Sequence, residues 1–213
     1  IGYAQFARME NELIVSKPLR KEKSFNFKID IGAGIPYGNT ATSMPYDYSF
    51  FAGGANDIRG WRARALGPGS YKYYLDLTRT ATQIGDLGLS ASAEFRFPIS
   101  SLIKSALFVD AGNIWTIYDD DNRPGGQISG NWYREIAVSA GLGIRVDLDF
   151  FIVRVDLGIP MMNPALPEGA KWIWQSRQPY FDEGIAKFGD PAYKSLMPRP
   201  FVPHLHFGIG YPF

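Results

Sequence analysis

Apolar and polar side chains alternate with a period of two along most of this chain, the pattern of strands whose two faces meet different surroundings. Tyr3–Ser16 puts Ala7, Met9, Leu13 and Val15 on one face and Arg8, Glu10 and Glu12 on the other. A charged turn over Lys17–Lys23, containing Pro18, leads into Ser24–Ile35. There Phe25, Phe27, Ile29, Ile31, Ala33 and Ile35 oppose Asn26, Lys28, Asp30, Gly32 and Gly34. Asp86–Phe97 is the clearest case: Leu87, Leu89, Ala91, Ala93, Phe95 and Phe97 face one way, and Gly88, Ser90, Ser92, Glu94 and Arg96 the other. After the turn Pro98–Leu102, Ile103–Trp115 aligns Lys104, Ala106, Phe108, Asp110 and Gly112. Tyr133–Asp147 sets Ile136, Val138, Ala140, Leu142, Ile144 and Val146 against Glu135, Ser139, Gly141, Gly143, Arg145 and Asp147. The tight link Leu148–Asp149 opens Phe150–Ile159, with Phe151, Val153, Val155 and Leu157 opposite Arg154, Asp156 and Gly158. The last alternation is His204–Phe213, where Leu205, Phe207, Ile209, Tyr211 and Phe213 oppose His204, His206, Gly208 and Gly210. The pattern predicts seven strands and no helix.

These strands run to about 10–15 residues, longer than the 5–6 usual in globular sheets. They match the ~9–11 tilted residues that cross a bilayer, with overhang. Their polar faces are glycine and serine with few charges, unlike the wet face of a soluble sheet. Connections alternate between short (17–23, 98–102, 148–149) and long (36–85, 117–131, 160–203). Tight turns at one rim and long loops at the other are the mark of an outer-membrane barrel. The expected fold class is all-β, a transmembrane antiparallel β-barrel with apolar faces toward lipid and glycine, serine and charged faces toward the lumen. A soluble all-β protein is the alternative that alternation alone leaves open.

Composition narrows the choice. The 213 residues allow one large β unit or two small domains, and a formal net charge of +1 gives no electrostatic footprint for nucleic acid. Aromatics at 15% and 23 glycines are high for a soluble domain. No run approaches the ~18 apolar residues of a spanning helix. The absence of cysteine excludes a disulfide scaffold without fixing the compartment. Ile1-Gly2-Tyr3 starts with neither methionine nor a basic-then-apolar leader, so the chain is expected to be part of something larger.

The stretch Phe50–Trp61 organises the rest. It lies within Pro36–Gly85, which shows no strand or helix period, and structureless loops beyond about 15 residues are functional or disordered. This one is dense in aromatics and glycine and poor in charge runs, unlike a disordered segment. Gly53, Gly54 and Gly60 suit a close-packed backbone, and Arg59 is the charge at its tip.

Asp57-Ile58-Arg59-Gly60-Trp61 resembles the Val/Ile-Arg-Gly-aromatic signature in the sixth extracellular loop of the BamA/TamA outer-membrane assembly family. Phe108-Val109-Asp110-Ala111-Gly112 resembles that family's Phe-x-Asp-x-Gly strand motif, and Glu94 falls where the preceding strand carries a lumenal acid. A bare Arg-Gly pair carries no information, but three motifs in this order are specific. The string from Phe50 to Tyr71 looks most like the TamL lipoprotein branch. The resemblance implies that residues 1–213 are the C-terminal part of one barrel domain, the last seven strands of about 16. It puts 36–85 in the lumen and 160–203 outside, and leaves the first nine or so strands and the periplasmic POTRA domains upstream. It implies a non-enzymatic factor, integral to a Gram-negative outer membrane, that inserts or translocates other polypeptides and needs no cofactor. The partners implied are outer-membrane lipid, unfolded or nascent outer-membrane proteins, periplasmic or membrane subunits and the rest of the same protein, with no nucleic acid. A secretion translocator of the same superfamily and a passive pore or structural subunit are the rival readings.

The residues support a loop latch of Asp57, Arg59 and Gly60 against Glu94 and Asp110. Alternation places both acids on the lumenal faces of adjacent strands, and a guanidinium makes planar two-pronged bonds that lysine cannot reproduce. From the residues alone, a solvated Arg59 with the acids paired to Lys104 or Arg96 stands equally beside this. At the end of the chain, His206-x-Gly208-x-x-Tyr211-x-Phe213 fits the polar-x-Gly-x-x-aromatic-x-aromatic pattern of terminal outer-membrane strands, whose last aromatic suits the membrane interface. Gly208, Gly210 and Pro212 weaken pairing there, and in the family the final strand meets the first at a seam that opens sideways. An ordinary barrel closure is the plain alternative.

Other chemistry finds no support. His204 and His206 share a face without an acid placed beside them, and Asp119-Asp120-Asp121 lacks the later ligands of a calcium loop. Gly53-Gly54 lacks the Gly-Lys-Ser/Thr of a phosphate loop, and no serine sits in a Gly-x-Ser-x-Gly elbow.

Overall fold

The computed structural model describes residues 4–38, 44–76, 83–148 and 150–213. Residues 1–3, the portions 39–43 and 77–82 of the first long loop, and Asp149 of the tight link lie outside the described residues. Seven strands, β1 (Gln5–Pro18), β2 (Ser24–Tyr37), β3 (Leu87–Pro98), β4 (Ile103–Trp115), β5 (Ala137–Asp147), β6 (Ile152–Met162) and β7 (His204–Ile209), form one antiparallel sheet in chain order. Each strand pairs with the next, and among the described residues β1 and β7 are not joined, so the sheet is open.

The two faces differ as the alternation requires. One is bare and apolar: Met9, Leu13, Ile31, Leu107, Val109, Leu142, Leu205 and Phe207 are all exposed. The other is covered by the two long loops. Phe50, Ala52, Ile58, Trp61 and Leu66 of the first loop pack on Ile114 and Ala137 of the sheet. A second cluster joins the loops to each other through Tyr74, Ala165, Leu166, Ala170, Tyr180 and Phe201. Glu183 ties it at the rim, accepting from Lys72 Nζ and the Tyr74 hydroxyl, each at 2.6 Å. Burial and that carboxylate push the Tyr74 phenol up, so it stays a donor.

Helix is present where none was expected. Gln178–Phe188 forms α1 and Tyr193–Leu196 forms a single turn, α2. Pro179 starts α1 in its first turn, and Gly189, at φ 79°, ends it. The apolar spacing of Tyr180, Phe181, Ile185 and Phe188 is helical, but Gly184 interrupts it. That glycine makes room for the Met197 sulfur, which a side chain there would strike.

Strand ends also shift. β1 starts two residues later than expected and runs on to Pro18. Trp132–Glu135 is a 3-10 turn, so β5 begins at Ala137 and not at Tyr133. β6 spans Ile152–Met162 and carries Pro160 opposite a bulge at Ser139. β7 stops at Ile209: Gly210 takes φ 82°, and the chain leaves the sheet before Tyr211.

Candidate functional site: a buried arginine on the covered face

The tip of the first loop lies on the inner sides of β3 to β7. Asp57 shapes the tip from within, its carboxylate accepting from the Gly53 amide at 2.7 Å. Asn56 Oδ1 accepts from Arg154 Nη2 at 2.6 Å. Ile58 is fully buried, and Gly60 rests on the bulge, where a Cβ would lie 2.5 Å from that of Ser139.

Arg59 is 1% exposed and is held from four sides. Its Nε and Nη2 donate to the two oxygens of Asp110 at 3.0 and 2.7 Å, a two-pronged fork. Its backbone amide donates to the same carboxylate at 3.0 Å. Nη1 donates to Glu94 Oε2 at 2.6 Å. The guanidinium lies over the Phe108 ring, 3.4 Å from its centre. The Arg59 carbonyl accepts from His206 Nε2 at 2.9 Å.

Around this fork lies a larger ionic cluster. Glu94 Oε1 accepts from Arg96 Nε at 2.6 Å and from Arg145 Nη2 at 3.0 Å. Asp156 lies 2.8 Å from Arg145 Nη1, 3.3 Å from Arg154 Nε and 3.6 Å from Arg59 Nη1, ion pairs without aligned hydrogen bonds. Four guanidiniums thus surround three carboxylates, all of them buried except Arg96, whose side chain is 11% exposed. A carboxylate here without its cation would be a buried uncompensated charge. Arg145 and Arg154 are direct cross-strand partners, an arrangement that Asp156 makes tolerable.

The structure therefore brings Arg59, Glu94 and Asp110 together and adds His206, while Asp57 stays outside the fork, its carboxylate on the Gly53 amide and on Ser90 of β3. Arg145, Arg154 and Asp156 were absent from the expected site, although alternation put all three on the polar faces. Strand alternation carries no information on how deep the loop reaches, and that depth is what makes these three its neighbours. Tyr211 and Phe213 also depart from expectation. They do not continue the apolar face of β7 toward the membrane interface. The turn at Gly210 brings their rings over Arg96, with centres 4.2 and 5.5 Å from its Cζ.

The Omp85 superfamily domain matches residues 2–213. The chain belongs to the Omp85 superfamily. It is 30% identical over 112 residues, 49% of its length, to the outer membrane protein assembly factor BamA of Neisseria meningitidis serogroup B (strain ATCC BAA-335 / MC58). The crystal structure of BamA from Haemophilus ducreyi lacking POTRA domains 1-3 is similar over 74% of the chain, at 20% identity and a TM-score of 0.58. The chain spans 14% of the first relative and 32% of the second. The fold is thus that of an Omp85 outer-membrane barrel, of which this sheet is an unclosed part.

Proposed function

We propose that this chain forms the C-terminal wall of an outer-membrane barrel that inserts or translocates other polypeptides, without catalytic chemistry or cofactor. The observation that carries the reading is the buried fork of Arg59 on Asp110 and Glu94, which ties a long loop to the inside of the sheet. In this reading the loop 36–85 folds into the lumen and is latched there, and the loop 160–203 covers the outer mouth. The bare apolar face meets outer-membrane lipid. The open edges of β1 and β7 serve the remaining strands of the barrel and, at the seam, strands of nascent outer-membrane proteins, since an unpaired edge is a template for strand addition. POTRA domains and periplasmic or membrane subunits would deliver those substrates.

The test is complementation of cells depleted of the full-length protein. Wild type should restore outer-membrane protein levels broadly, and Arg59→Ala should not. Loss of a single exported partner would favour a dedicated secretion translocator. Normal outer-membrane protein levels after depletion would favour a passive pore or structural subunit.

A further inference from the structure

All four residues of the terminal pattern touch the arginine cluster. His206 donates to the Arg59 carbonyl at 2.9 Å. Gly208 lies under Arg154, where a Cβ would sit 2.5 Å from Nη2 and 2.9 Å from Nε. The Tyr211 and Phe213 rings lie over Arg96, whose Nη2 donates to the Phe213 carbonyl at 3.1 Å. These arginines are not independent: Arg59 and Arg96 share Glu94, and Arg59 and Arg154 both face Asp156.

β7 needs such contacts. Its ladder with β6 is short, from Gly158↔His204 to Val153↔Ile209, closed by the Gly210 amide donating to the Ile152 carbonyl at 2.8 Å. Its outer face repeats Leu205, Phe207 and Ile209, so a slip by two residues leaves the apolar side outward and costs little there. The inner face does not tolerate the slip. One direction sets His206 against the Arg154 guanidinium; the other sets Gly208 at Arg59, which loses its donor.

We propose that the arginine cluster is a docking site for the inner face of the last strand. It fixes the register of β7 on β6 and holds the end of the chain turned inward. Release of the loop therefore also loosens the last strand, because His206 rests on the Arg59 carbonyl, whereas freeing the chain end from Arg96 leaves the loop in place. This rests on the loop-latch reading above.

The test uses the full-length protein in membranes with Pro212→Cys, a buried site; residues 1–213 hold no cysteine, and any cysteine elsewhere in the full-length protein is first changed to serine. Arg96→Ala should speed labelling by a polar thiol reagent about tenfold, as expected for losing a desolvated cation–ring contact, while the loop 36–85 stays resistant to protease. Arg59→Ala should raise labelling and expose the loop. If Arg96→Ala fails to reach the membrane, Arg96→Gln serves, with faster labelling again expected. Unchanged labelling in the Arg96 variant overturns the docking site. Loop cleavage in Arg59→Ala with unchanged Pro212→Cys labelling overturns the coupling and leaves the latch standing. A resistant loop in Arg59→Ala overturns the latch and the coupling with it. Separately, Gly208→Val should abolish disulfide formation between cysteines placed at Val155 and Phe207, which are paired in this register; retained cross-linking would show that register is set elsewhere.

Discussion

The carbonyl of Arg59 rests directly on Gly158 of β6, where any side chain would strike it. The glycine is thus a seat for the loop backbone, and its lack of a side chain is what the site requires. Gly158→Ala should lift the loop tip off the sheet at a cost of about 1–3 kcal/mol, as overpacking does. Protease sensitivity of 36–85 should rise while the strands stay folded. Gly130→Ala, at a position with open space around it, is the matched control and should be silent.

Asp110 and Glu94 should respond differently to the loss of Arg59. Without the Arg59 guanidinium, Glu94 keeps Arg96 and Arg145, whereas Asp110 keeps no cation among the described residues, its donors being the residue-59 backbone amide at 3.0 Å and the Ser139 hydroxyl at 3.4 Å. Arg59→Ala combined with Asp110→Asn should therefore cost clearly less than the sum of the singles, a coupling of about 1–3 kcal/mol. The pair with Glu94→Gln should couple more weakly. Thermal unfolding of the four-member cycles in the full-length protein measures both, and equal couplings would show that the neighbours of Glu94 do not compensate.

Strand count, order and facing were legible in the sequence because a period of two needs only local information. Arg59, Glu94 and Asp110 could be brought together because motif and alternation agreed. Asp156, Arg145 and Arg154 were not legible as partners, since their faces were readable but the depth of the loop was not. α1 was hidden by Gly184, whose reason is the distant Met197. The inward turn after Ile209 was hidden because Tyr211 and Phe213 extend the alternation of β7, and only the position of Arg96 explains why they leave it.

Removing Phe213, or changing Tyr211 and Phe213 to serine, should lower the amount of full-length protein in the outer membrane. The deletion removes one of the two rings over Arg96 and the double serine variant removes both, so the deletion should have the smaller effect. Quantifying the membrane-embedded, folded fraction checks this; normal levels would make the terminal pattern incidental.

The seven strands alone should not yield a closed, monodisperse monomer in detergent. β1 and β7 each have one bare edge among the described residues, and hydrocarbon cannot hydrogen-bond an unpaired edge. Size-exclusion chromatography of residues 1–213 should show aggregate or unfolded chain.

If Arg59 holds the loop against the sheet, a thiol buried within that loop is shielded only while the fork is intact. Ala52, 3% exposed within that loop, offers a near-isosteric reporter as Ala52→Cys. In the full-length protein its labelling by a polar thiol reagent should be slow with Arg59 in place. It should be fast in Arg59→Ala, because breaking a buried ion pair costs about 3–5 kcal/mol against roughly 0–1 for an exposed one. Arg59→Lys should label nearly as fast as Arg59→Ala, since lysine cannot make the fork on Asp110. Equal, slow labelling in all three proteins would show that Arg59 does not hold the loop.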